Sequence, residues 1–328
     1  MKNLITGGAG FIGSHLAEEL LDRGEEVAVI DDLSTGSMSN IAHLKSHPKF
    51  SWHINTILNK RLMRTLIGQS DTVYHLAAAV GVKYIIDNPL KSIQTNVNGT
   101  EIVLDLAHSL GTKKVVLAST SEIYGKDRPG KSIFREDDDR VLGPTTTSRW
   151  SYSCTKALDE FLALAYRHEK KMPIVIVRFF NTCGPRQTGR YGMVVPRFVK
   201  QAISGEPITI YDDGKQSRCF TDISDAVNAA ILLSRSPKAV GGIFNVGNPK
   251  NKITINALAK KIKSMTCSKS PIKHIPYTQA YAEGFEDIRH REPDISKLKR
   301  ITGFKPAIGT DDMLKGVIGY LKDNSRKR

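Results

Sequence analysis

The sequence predicts an α/β fold in which a doubly wound parallel sheet is joined to a smaller, discontinuous α/β lobe. Strand-like and helix-like segments alternate over the first 120 residues, a glycine-rich turn follows the first strand, and two aspartates end the second. Such alternation is typical of a parallel sheet that helices cover on both faces. The predicted strands here are short runs rich in Val, Ile and Leu: Lys2–Thr6, Glu26–Ile30, Phe50–Ile54, Thr72–Leu76 and Lys114–Ala118.

The second half of the chain has a looser pattern, interrupted by proline and glycine between residues 181 and 213. Apolar periodicity predicts the helices Tyr152–Glu169, Pro196–Ile203, Ile223–Ser234, Thr254–Met265 and Asp311–Lys322, and the strands Ile174–Arg178 and Gly242–Val246. We therefore expect a Rossmann-type cofactor-binding domain at residues 1–178, completed by about 213–246. In this prediction residues 179–212 and 247–328 form the smaller lobe.

The composition indicates a globular protein with reduced thiols. Of its 328 residues, 40% are hydrophobic and 25% are charged, and no run of about 18 apolar residues could cross a membrane. The N-terminal residues enter the first strand directly, so no signal peptide is expected. Four scattered cysteines form no CxxC pair or Cys/His cluster, so we expect a cytoplasmic protein without a metal site.

The formal net charge of +15 raises the question of nucleic-acid binding, because basic surfaces attract phosphates. The basic residues are spread along the chain, however, and their modest clusters lack the interleaved aromatic residues that single-strand binders use for stacking. We interpret the charge as a solvated basic surface that favours small anionic ligands, and we do not expect nucleic acid as a partner.

The strongest local motif is the glycine turn at residues 6–13, which follows the first strand and opens a helix. Its glycines permit a tight turn and let backbone N–H groups approach a pyrophosphate at the helix N-terminus. At the end of the second strand, Asp31 and Asp32 can accept hydrogen bonds from an adenosine ribose and would repel a 2′-phosphate, which favours NAD over NADP. The cofactor-binding residues predicted in the turn are Gly7, Gly10, Phe11, Ile12 and Gly13.

A second motif, Tyr152 and Lys156, provides candidate catalytic residues. Tyr152 and Lys156 are four positions apart, so they share one face of a helix. A tyrosine with a pKa near 10 is a poor base at neutral pH, but a neighbouring ammonium stabilises its phenolate. The pair can then take a proton from a substrate hydroxyl while hydride leaves for a nicotinamide. The polar segment Ser119–Glu122 follows a predicted strand, at the sheet edge where parallel sheets bind ligands.

Together with further motifs, these features resemble the extended short-chain dehydrogenase/reductase family of nucleotide-sugar epimerases, dehydratases and decarboxylases. The further motifs are His75-Leu76-Ala77-Ala78, Asn96, Ser119–Gly125 and Arg178-Phe179-Phe180-Asn181, and the match covers nearly the whole chain. The resemblance implies NAD contacts from Leu76, Ala77, Ala78, Asn96 and Ser119, together with Tyr152 and Lys156. It implies a UDP-sugar substrate bound by Asn181, Val195, Arg197, Tyr211, Arg218 and Arg291, with the planar fork of Arg218 on the diphosphate.

Within this family, the segment after the fifth strand is similar to that of UDP-glucuronate decarboxylases, of the UDP-xylose synthase and aminoarabinose-pathway types. Thr120-Ser121-Glu122 lacks the aspartate that the 4,6-dehydratases carry between Thr and Glu, while 4-epimerases usually have no acid at the Glu122 position. The segments Arg149–Tyr152, Glu283–Asp287 and His290–Ile295 also resemble the decarboxylases. Arg291 aligns with their active-site arginine.

The resemblance implies that C4 of UDP-glucuronate is oxidised with Tyr152 as the base, and that the resulting β-keto acid loses CO₂ to give UDP-xylose or a 4-keto-pentose. Thr120, Ser121 and Glu122 would position the sugar, and Arg291 would act near C5. Two alternatives remain open. One is an NAD-dependent UDP-glucose or UDP-glucuronate 4-epimerase that uses the same Tyr–Lys pair, and the other is a non-catalytic protein of this fold that binds RNA. The family resemblance also implies a homodimer, formed through the helices near Ser92–Leu110 and Tyr152–Glu169.

Overall fold

The computed structural model describes residues 1–111, 114–126, 130–148, 150–189, 193–280 and 288–326. Its strands are β1 (Lys2–Thr6), β2 (Glu26–Asp31), β3 (Phe50–Ile54), β4 (Thr72–His75), β5 (Lys114–Thr120), β6 (Ile133–Phe134), β7 (Ile174–Phe179), β8 (Thr182–Cys183), β9 (Ile208–Tyr211), β10 (Ser217–Cys219), β11 (Thr221–Asp222), β12 (Ile243–Val246), β13 (Lys252–Thr254), β14 (Ile272–Ile275) and β15 (His290–Pro293). Its helices are α1 (Phe11–Asp22), α2 (Lys60–Gly68), α3 (Val82–Asp87), α4 (Pro89–Ser109), α5 (Trp150–Lys170), α6 (Val194–Ile203), α7 (Ile223–Arg235), α8 (Ile255–Met265), α9 (Tyr277–Ala280), α10 (Ser296–Thr302) and α11 (Thr310–Arg326).

The main sheet is parallel and runs in the order β3-β2-β1-β4-β5-β7-β12. One apolar layer, which includes Leu16 of α1 and Val227 of α7, covers one face of this sheet. A second layer, which includes Met63 of α2 and Val103 of α4, covers the other face. The chain winds outward in one direction from β1 and in the other from β4. A crevice for ligands therefore opens beyond the carboxyl ends of these two strands.

The smaller lobe packs three short sheets around its own core. A four-stranded sheet has the order β13-β10-β15-β6, and β9 pairs with β14 and β8 with β11. Phe198 of α6, Leu258 of α8 and Leu314 of α11 are fully buried in this core. Because β6 comes from the first half of the chain and β15 from near its end, the lobe assembles from distant segments.

The predicted α/β fold with a doubly wound sheet is confirmed, and the structure refines several boundaries. Helix α1 begins at Phe11, within the glycine turn, with Gly10 as its N-cap. Strand β5 continues to Thr120 and carries the polar segment to the sheet edge. Residues 217–222 pair within the smaller sheets. Strand β12 completes the main sheet, and α7 packs on its face. The predicted lobe boundaries themselves stay a prediction.

Among the residues that the structure describes, no helix is both long and apolar enough to cross a bilayer. Within the same ranges, no group of three or more His, Cys, Asp or Glu side chains is arranged to hold a metal ion.

Candidate active site

A cleft of about 530 Å³ lies between the carboxyl edge of the main sheet and the smaller lobe. This volume is in the range of cofactor and substrate sites. The cleft wall brings together most of the residues predicted from the sequence: Gly7, Gly10, Phe11, Ile12, Gly13, Asp31, Asp32, Leu76, Ala77, Ala78, Ser119, Thr120, Glu122, Tyr152, Lys156, Asn181, Val195, Arg197, Tyr211, Arg218 and Arg291.

The glycine turn is packed so closely that side chains would not fit. Gly7 has a φ of +71°, and a Cβ atom there would lie 2.9 Å from the backbone nitrogen of Ala77. A Cβ atom on Gly13 would lie 2.2 Å from the carbonyl oxygen of Gly7. The N-cap residue of α1, Gly10, makes no side-chain capping bond, so the first N–H groups of the helix are left for an anion at the cleft. This backbone fits a dinucleotide pyrophosphate.

The carboxylates at the end of β2 are held by backbone N–H groups. Asp31 Oδ2 accepts from Ala9 N at 3.0 Å and Oδ1 accepts from Leu33 N at 2.8 Å. Burial raises the pKa of Asp31, against the lowering effect of these hydrogen bonds. Asp32 is exposed and its Oδ1 accepts from Ser34 N at 2.9 Å. Because each carboxylate oxygen has two lone pairs, both side chains can still accept a bond from a ribose hydroxyl.

Tyr152 and Lys156 lie one turn apart on α5, and both border the cleft. Lys156 is buried, and its Nζ donates to Asp159 Oδ2 at 2.7 Å. The desolvation of its hydroxyl raises the pKa of Tyr152 well above the usual value; the charges of Glu122 and Asp159 raise it further, and a hydrogen bond with Thr120 lowers it. Tyr152 is therefore a phenol in the protein alone, and its ionisation depends on the positive charge that reaches it.

A second charged pair joins the two lobes across the cleft. Arg291 of β15 places its Nη1 2.6 Å from Glu122 Oε1, in the 3₁₀ turn that follows β5. The Arg291 side chain is only 5% exposed, and its Nε has no hydrogen-bond partner among the described residues. A buried guanidinium that borders a cleft and has an unused N–H is suited to bind a carboxylate.

A buried network supports the wall behind these residues. Arg178 of β7 donates from Nη2 to Glu160 Oε2 at 2.7 Å and from Nε to Oε1 at 2.9 Å. Ser119 Oγ donates to the same Glu160 Oε1 at 2.5 Å. Arg178 also donates to the hydroxyl of Tyr124, which donates to Asn245 of β12. This network fixes α5 against the ends of β5, β7 and β12, so the catalytic face of α5 has a rigid support.

Two predicted residues lie behind the cleft wall instead of on it. Asn96 of α4 is buried, where its Oδ1 accepts from Ala79 N at 2.7 Å and its Nδ2 donates to Thr155 Oγ1 at 3.3 Å. It thus supports the loop after β4 and the helix that carries Tyr152. Ser121 is buried at the start of the 3₁₀ turn. Neither side chain borders the cleft, so their proposed contacts with cofactor and sugar remain predictions without geometric support.

On the side of the smaller lobe, the cleft is basic and aromatic. The guanidinium carbon of Arg197 lies 4.1 Å from the ring centroid of Tyr211, and both residues border the cleft with Arg218. Arg218 Nη1 donates to the carbonyl oxygen of Ser217 at 2.9 Å, which orients the guanidinium. Asn181 has a φ of 36° and donates from Nδ2 to the carbonyl oxygen of Cys219 at 3.2 Å. This wall is suited to an anionic, partly aromatic ligand such as a nucleoside diphosphate.

Sequence reasoning missed several functional candidates. Asp159 resembles an ordinary polar residue of an amphipathic helix, although its spacing of three from Lys156 could have indicated a pair. Gln216 and Tyr277 also border the cleft, with Gln216 Nε2 donating to the hydroxyl of Tyr277 at 3.2 Å. Two parts of the decarboxylase-like motifs, Arg149 and residues 283–287, lie outside the described residues.

Fold and site together define an enzyme that combines a dinucleotide-binding sheet with a Tyr–Lys pair and an anionic-substrate lobe. A family model described as GDP-mannose 4,6 dehydratase matches residues 4–317, and the chain belongs to this family. This confirms the predicted relationship to NAD-dependent nucleotide-sugar enzymes of the extended short-chain dehydrogenase/reductase type.

Two curated relatives are decarboxylases. The UDP-N-acetyl-alpha-D-glucosaminuronate decarboxylase of Bacillus cytotoxicus is 43% identical over 325 residues, which cover 98% of this chain and 97% of that protein. The UDP-glucuronic acid decarboxylase 1 of Danio rerio is 35% identical over 322 residues, which cover 97% of this chain and 72% of that protein.

Solved structures of epimerases have the same fold. The UDP-glucuronic acid 4-epimerase of Bacillus cereus, in complex with UDP-glucuronic acid and NAD, has a TM-score of 0.89 and 28% identity, with coverage of 99% of this chain and 100% of that one. An epimerase from Methanothermobacter thermautotrophicus also has a TM-score of 0.89, with 26% identity and coverage of 99% and 93%. The sequence identity is thus higher to the decarboxylases than to these epimerases.

Proposed function

We propose that the chain is an NAD-dependent decarboxylase of a UDP-linked hexuronate, which acts through a 4-keto intermediate. The observation that supports this most directly is the ion pair of the buried Arg291 with the half-buried Glu122, in the same cleft as Tyr152 and Lys156. The pair places a guanidinium where a sugar carboxylate can be held within reach of the base.

The first chemical step requires a base at the C4 hydroxyl of the sugar. Tyr152 accepts this proton, and the Lys156 ammonium stabilises the phenolate. NAD, held by the glycine turn and by Asp31 and Asp32, supplies the hydride acceptor for C4. The buried hydrogen bonds from Ser119 and Arg178 to Glu160 hold α5 in a fixed position against the ends of β5 and β7. The base and the reacting carbon can therefore meet with little reorganisation.

The second step is the loss of CO₂. Oxidation of C4 makes the sugar carboxylate β to a ketone, so the C5–C6 bond can break and its electron pair can pass into an enolate. Arg291 would orient the carboxylate before this step, and Glu122 fixes the arginine by their ion pair at 2.6 Å. The enolate then takes a proton at C5 near the same pair. The ketone would then take back the hydride removed from C4 to give a UDP-pentose, or be released as the 4-keto sugar with the reduced cofactor as the second product.

The C2 substituent separates two candidate substrates. UDP-glucuronate is the substrate predicted from the sequence. Its 2-acetamido analogue is the second candidate, favoured by the 43% identity to a decarboxylase named for that sugar, against 35% for one named for UDP-glucuronic acid. The carboxylate and the C4 hydroxyl are common to both, so the roles of Tyr152 and Arg291 are the same in either case.

The decisive experiment incubates the purified protein and NAD⁺ separately with the two UDP-uronates and with UDP-glucose, which has no carboxylate. We expect CO₂ release and the matching mass loss from at least one uronate and no CO₂ from UDP-glucose. Formation of the C4 epimer without CO₂ would replace the decarboxylase by the 4-epimerase. Salt-dependent RNA binding without any sugar-nucleotide binding would support the non-catalytic alternative.

Cytoplasmic location and homodimerisation belong to the same proposal. Support for a dimer comes from exposed apolar side chains on the two helices predicted to form it. Leu90 and Ile93 of α4 are 67% and 41% exposed, and Leu158 and Phe161 of α5 are 49% and 63% exposed. Helices α4 and α5 pack against each other, so these side chains can form one patch that a second copy would cover.

A further inference from the structure

The carboxylate of Asp159 lies beside the ammonium of the Tyr–Lys pair. Asp159 follows Lys156 by three positions, so the two side chains share one face of α5. Their N–O distance is 2.7 Å, and the side chains are 1% and 3% exposed. The second oxygen of Asp159, Oδ1, is buried without a hydrogen-bond partner among the described residues. Among the described residues, Lys156 is therefore the hydrogen-bond partner of this carboxylate.

The carboxylate of Asp159 changes how strongly the Lys156 ammonium can stabilise the phenolate of Tyr152. A buried ammonium without a counterion is costly, and a carboxylate at hydrogen-bond distance compensates its charge and fixes its position. The same carboxylate opposes the field that the ammonium exerts on the phenol one turn away. In agreement with this geometry, the charge of Asp159 raises the pKa of Tyr152.

Other titratable groups face the Tyr–Lys pair from the elements packed around it. Burial lowers the pKa of His75 of β4 to about 3, with a smaller lowering by the charge of Lys156, so this imidazole is neutral at physiological pH. Glu122, in the 3₁₀ turn, raises the pKa of Tyr152 and is itself paired with Arg291. On α5, Glu160 is neutralised by Arg178 of β7.

Helix α4 places its charged groups elsewhere. Burial raises the pKa of Tyr166, near the other end of α5, and the charges of Asp105 and Glu101 raise it further. His108 packs against the same ring. At about 1.5 Å per residue, Tyr166 lies about 20 Å along the helix from Tyr152. The carboxylates closest to the pair are therefore Asp159 and Glu122, of which Asp159 contacts the ammonium.

We propose that Asp159 is a positioning residue of the active site, which holds the Lys156 ammonium in place and offsets its charge next to Tyr152. This inference rests on the proposed function only in taking Tyr152 as the catalytic base and Lys156 as the ammonium that assists it. It predicts that loss of the carboxylate makes Tyr152 ionise at lower pH, even though the structure keeps its fold.

The test measures the ionisation of Tyr152 in the NAD-loaded protein, without turnover. The near-ultraviolet absorbance of phenolate is titrated in the wild type and in Tyr152→Phe, and the difference reports Tyr152 alone. The same difference is taken between Asp159→Asn and the double variant Asp159→Asn/Tyr152→Phe. Glu169→Gln is the matched control, because it removes one carboxylate from an exposed position of the same helix.

We expect Asp159→Asn to lower the pKa of Tyr152 by about one unit, Glu169→Gln to leave it unchanged, and Asp159→Glu to return it toward the wild-type value. If Asp159→Asn does not fold, Asp159→Ala takes its place, with the same expectation. An unchanged or raised Tyr152 pKa in a folded neutral variant would overturn the inference. Because no substrate is used, a titration shift with no CO₂ from either uronate would leave this inference standing and remove the proposed function.

Discussion

Two ion pairs contribute to the electrostatics of the site, one within a single helix and one between distant segments of the chain. Lys156 and Asp159 are neighbours on one helix, and Lys156 borders the cleft because α5 presents that face to it. Glu122 and Arg291 come from segments separated by most of the chain. In the proposed function, the first pair acts on the base and the second binds the substrate carboxylate.

Substitution of Tyr152 by phenylalanine tests the base. The change removes the hydroxyl and keeps the ring, so we expect turnover to fall by about 10²–10⁴-fold, the usual contribution of a positioned acid–base group. NAD affinity should be nearly unchanged, because the glycine turn and the carboxylates of β2 are untouched. The measurements are kcat with the active UDP-uronate and NAD binding by calorimetry. Wild-type turnover in this variant would show that another group takes the proton.

Substitution of Glu122 by alanine tests the pair with Arg291. The arginine loses its ion-pair partner, so the substrate carboxylate is held less well, and we expect decarboxylation to fall by about 10²-fold or more. Cofactor affinity should change much less. Glu292→Ala is the matched control, because Glu292 is adjacent to Arg291 on β15 but forms its ion pair with Lys252 instead. Equal losses in the two variants would remove Glu122 from the chemistry.

At the scale of elements, the turn between β1 and α1 shows how backbone packing makes a binding site. Gly7 and Gly13 bring the strand end, the helix start and the segment after β4 within contact distance. Because no side chain intervenes, an anion in the cleft can reach the first N–H groups of α1. The sequence motif predicted this turn, since the spacing of its glycines follows directly from the geometry.

Substitution of Gly13 by alanine tests this turn. A Cβ atom would meet the Gly7 carbonyl oxygen at 2.2 Å, so the turn must open. We expect a loss of about 1–3 kcal/mol in the free energy of unfolding and at least tenfold weaker NAD binding. Gly68→Ala is the control, because its Cβ atom would have no neighbour closer than 3.8 Å. Urea unfolding and NAD titration of both variants provide the check, and wild-type NAD affinity in Gly13→Ala would contradict the assigned role of the turn.

At the scale of the whole molecule, the cleft exists because two lobes meet over one sheet edge. The main sheet provides the cofactor turn and the Tyr–Lys pair, whereas the smaller lobe provides Arg197, Arg218 and Arg291. Three guanidinium groups on one wall form a positive surface facing the sheet. The net charge of +15 agrees with such a surface, which would attract a doubly anionic nucleotide portion.

The exposed patch on α4 and α5 gives a prediction about assembly. If two copies associate through these helices, Phe161→Asp places a charge in the interface and we expect the mass in solution to fall from dimer to monomer. Ile54→Asp is the control, because Ile54 is 46% exposed on the edge strand β3, away from both helices. Light scattering after size-exclusion chromatography gives the mass. A wild-type monomer, or a dimer that survives Phe161→Asp, would contradict assembly through this patch.

The sequence by itself determined the local parts of this protein. Glycine spacing, the aspartates after β2 and the Tyr152–Lys156 interval are short-range features whose geometry is fixed within one turn or one strand–helix junction. Apolar periodicity likewise predicted helices α5, α7, α8 and α11 and the strands of the main sheet, whereas the region of α4 was expected only from the family resemblance. Strands of two residues, such as β6, β8 and β11, have too few positions for a period to emerge.

Only the tertiary structure decided which of these parts act together. It placed Arg291 against Glu122, turned Asp159 inward onto Lys156, and set Asn96 and Ser121 behind the cleft wall. The physical reason is that an ion pair between distant segments, or the burial of one polar helix residue, depends on how elements pack. Local sequence carries little information about that packing, because the same polar residue types are equally compatible with a solvent-exposed position on a helix or strand.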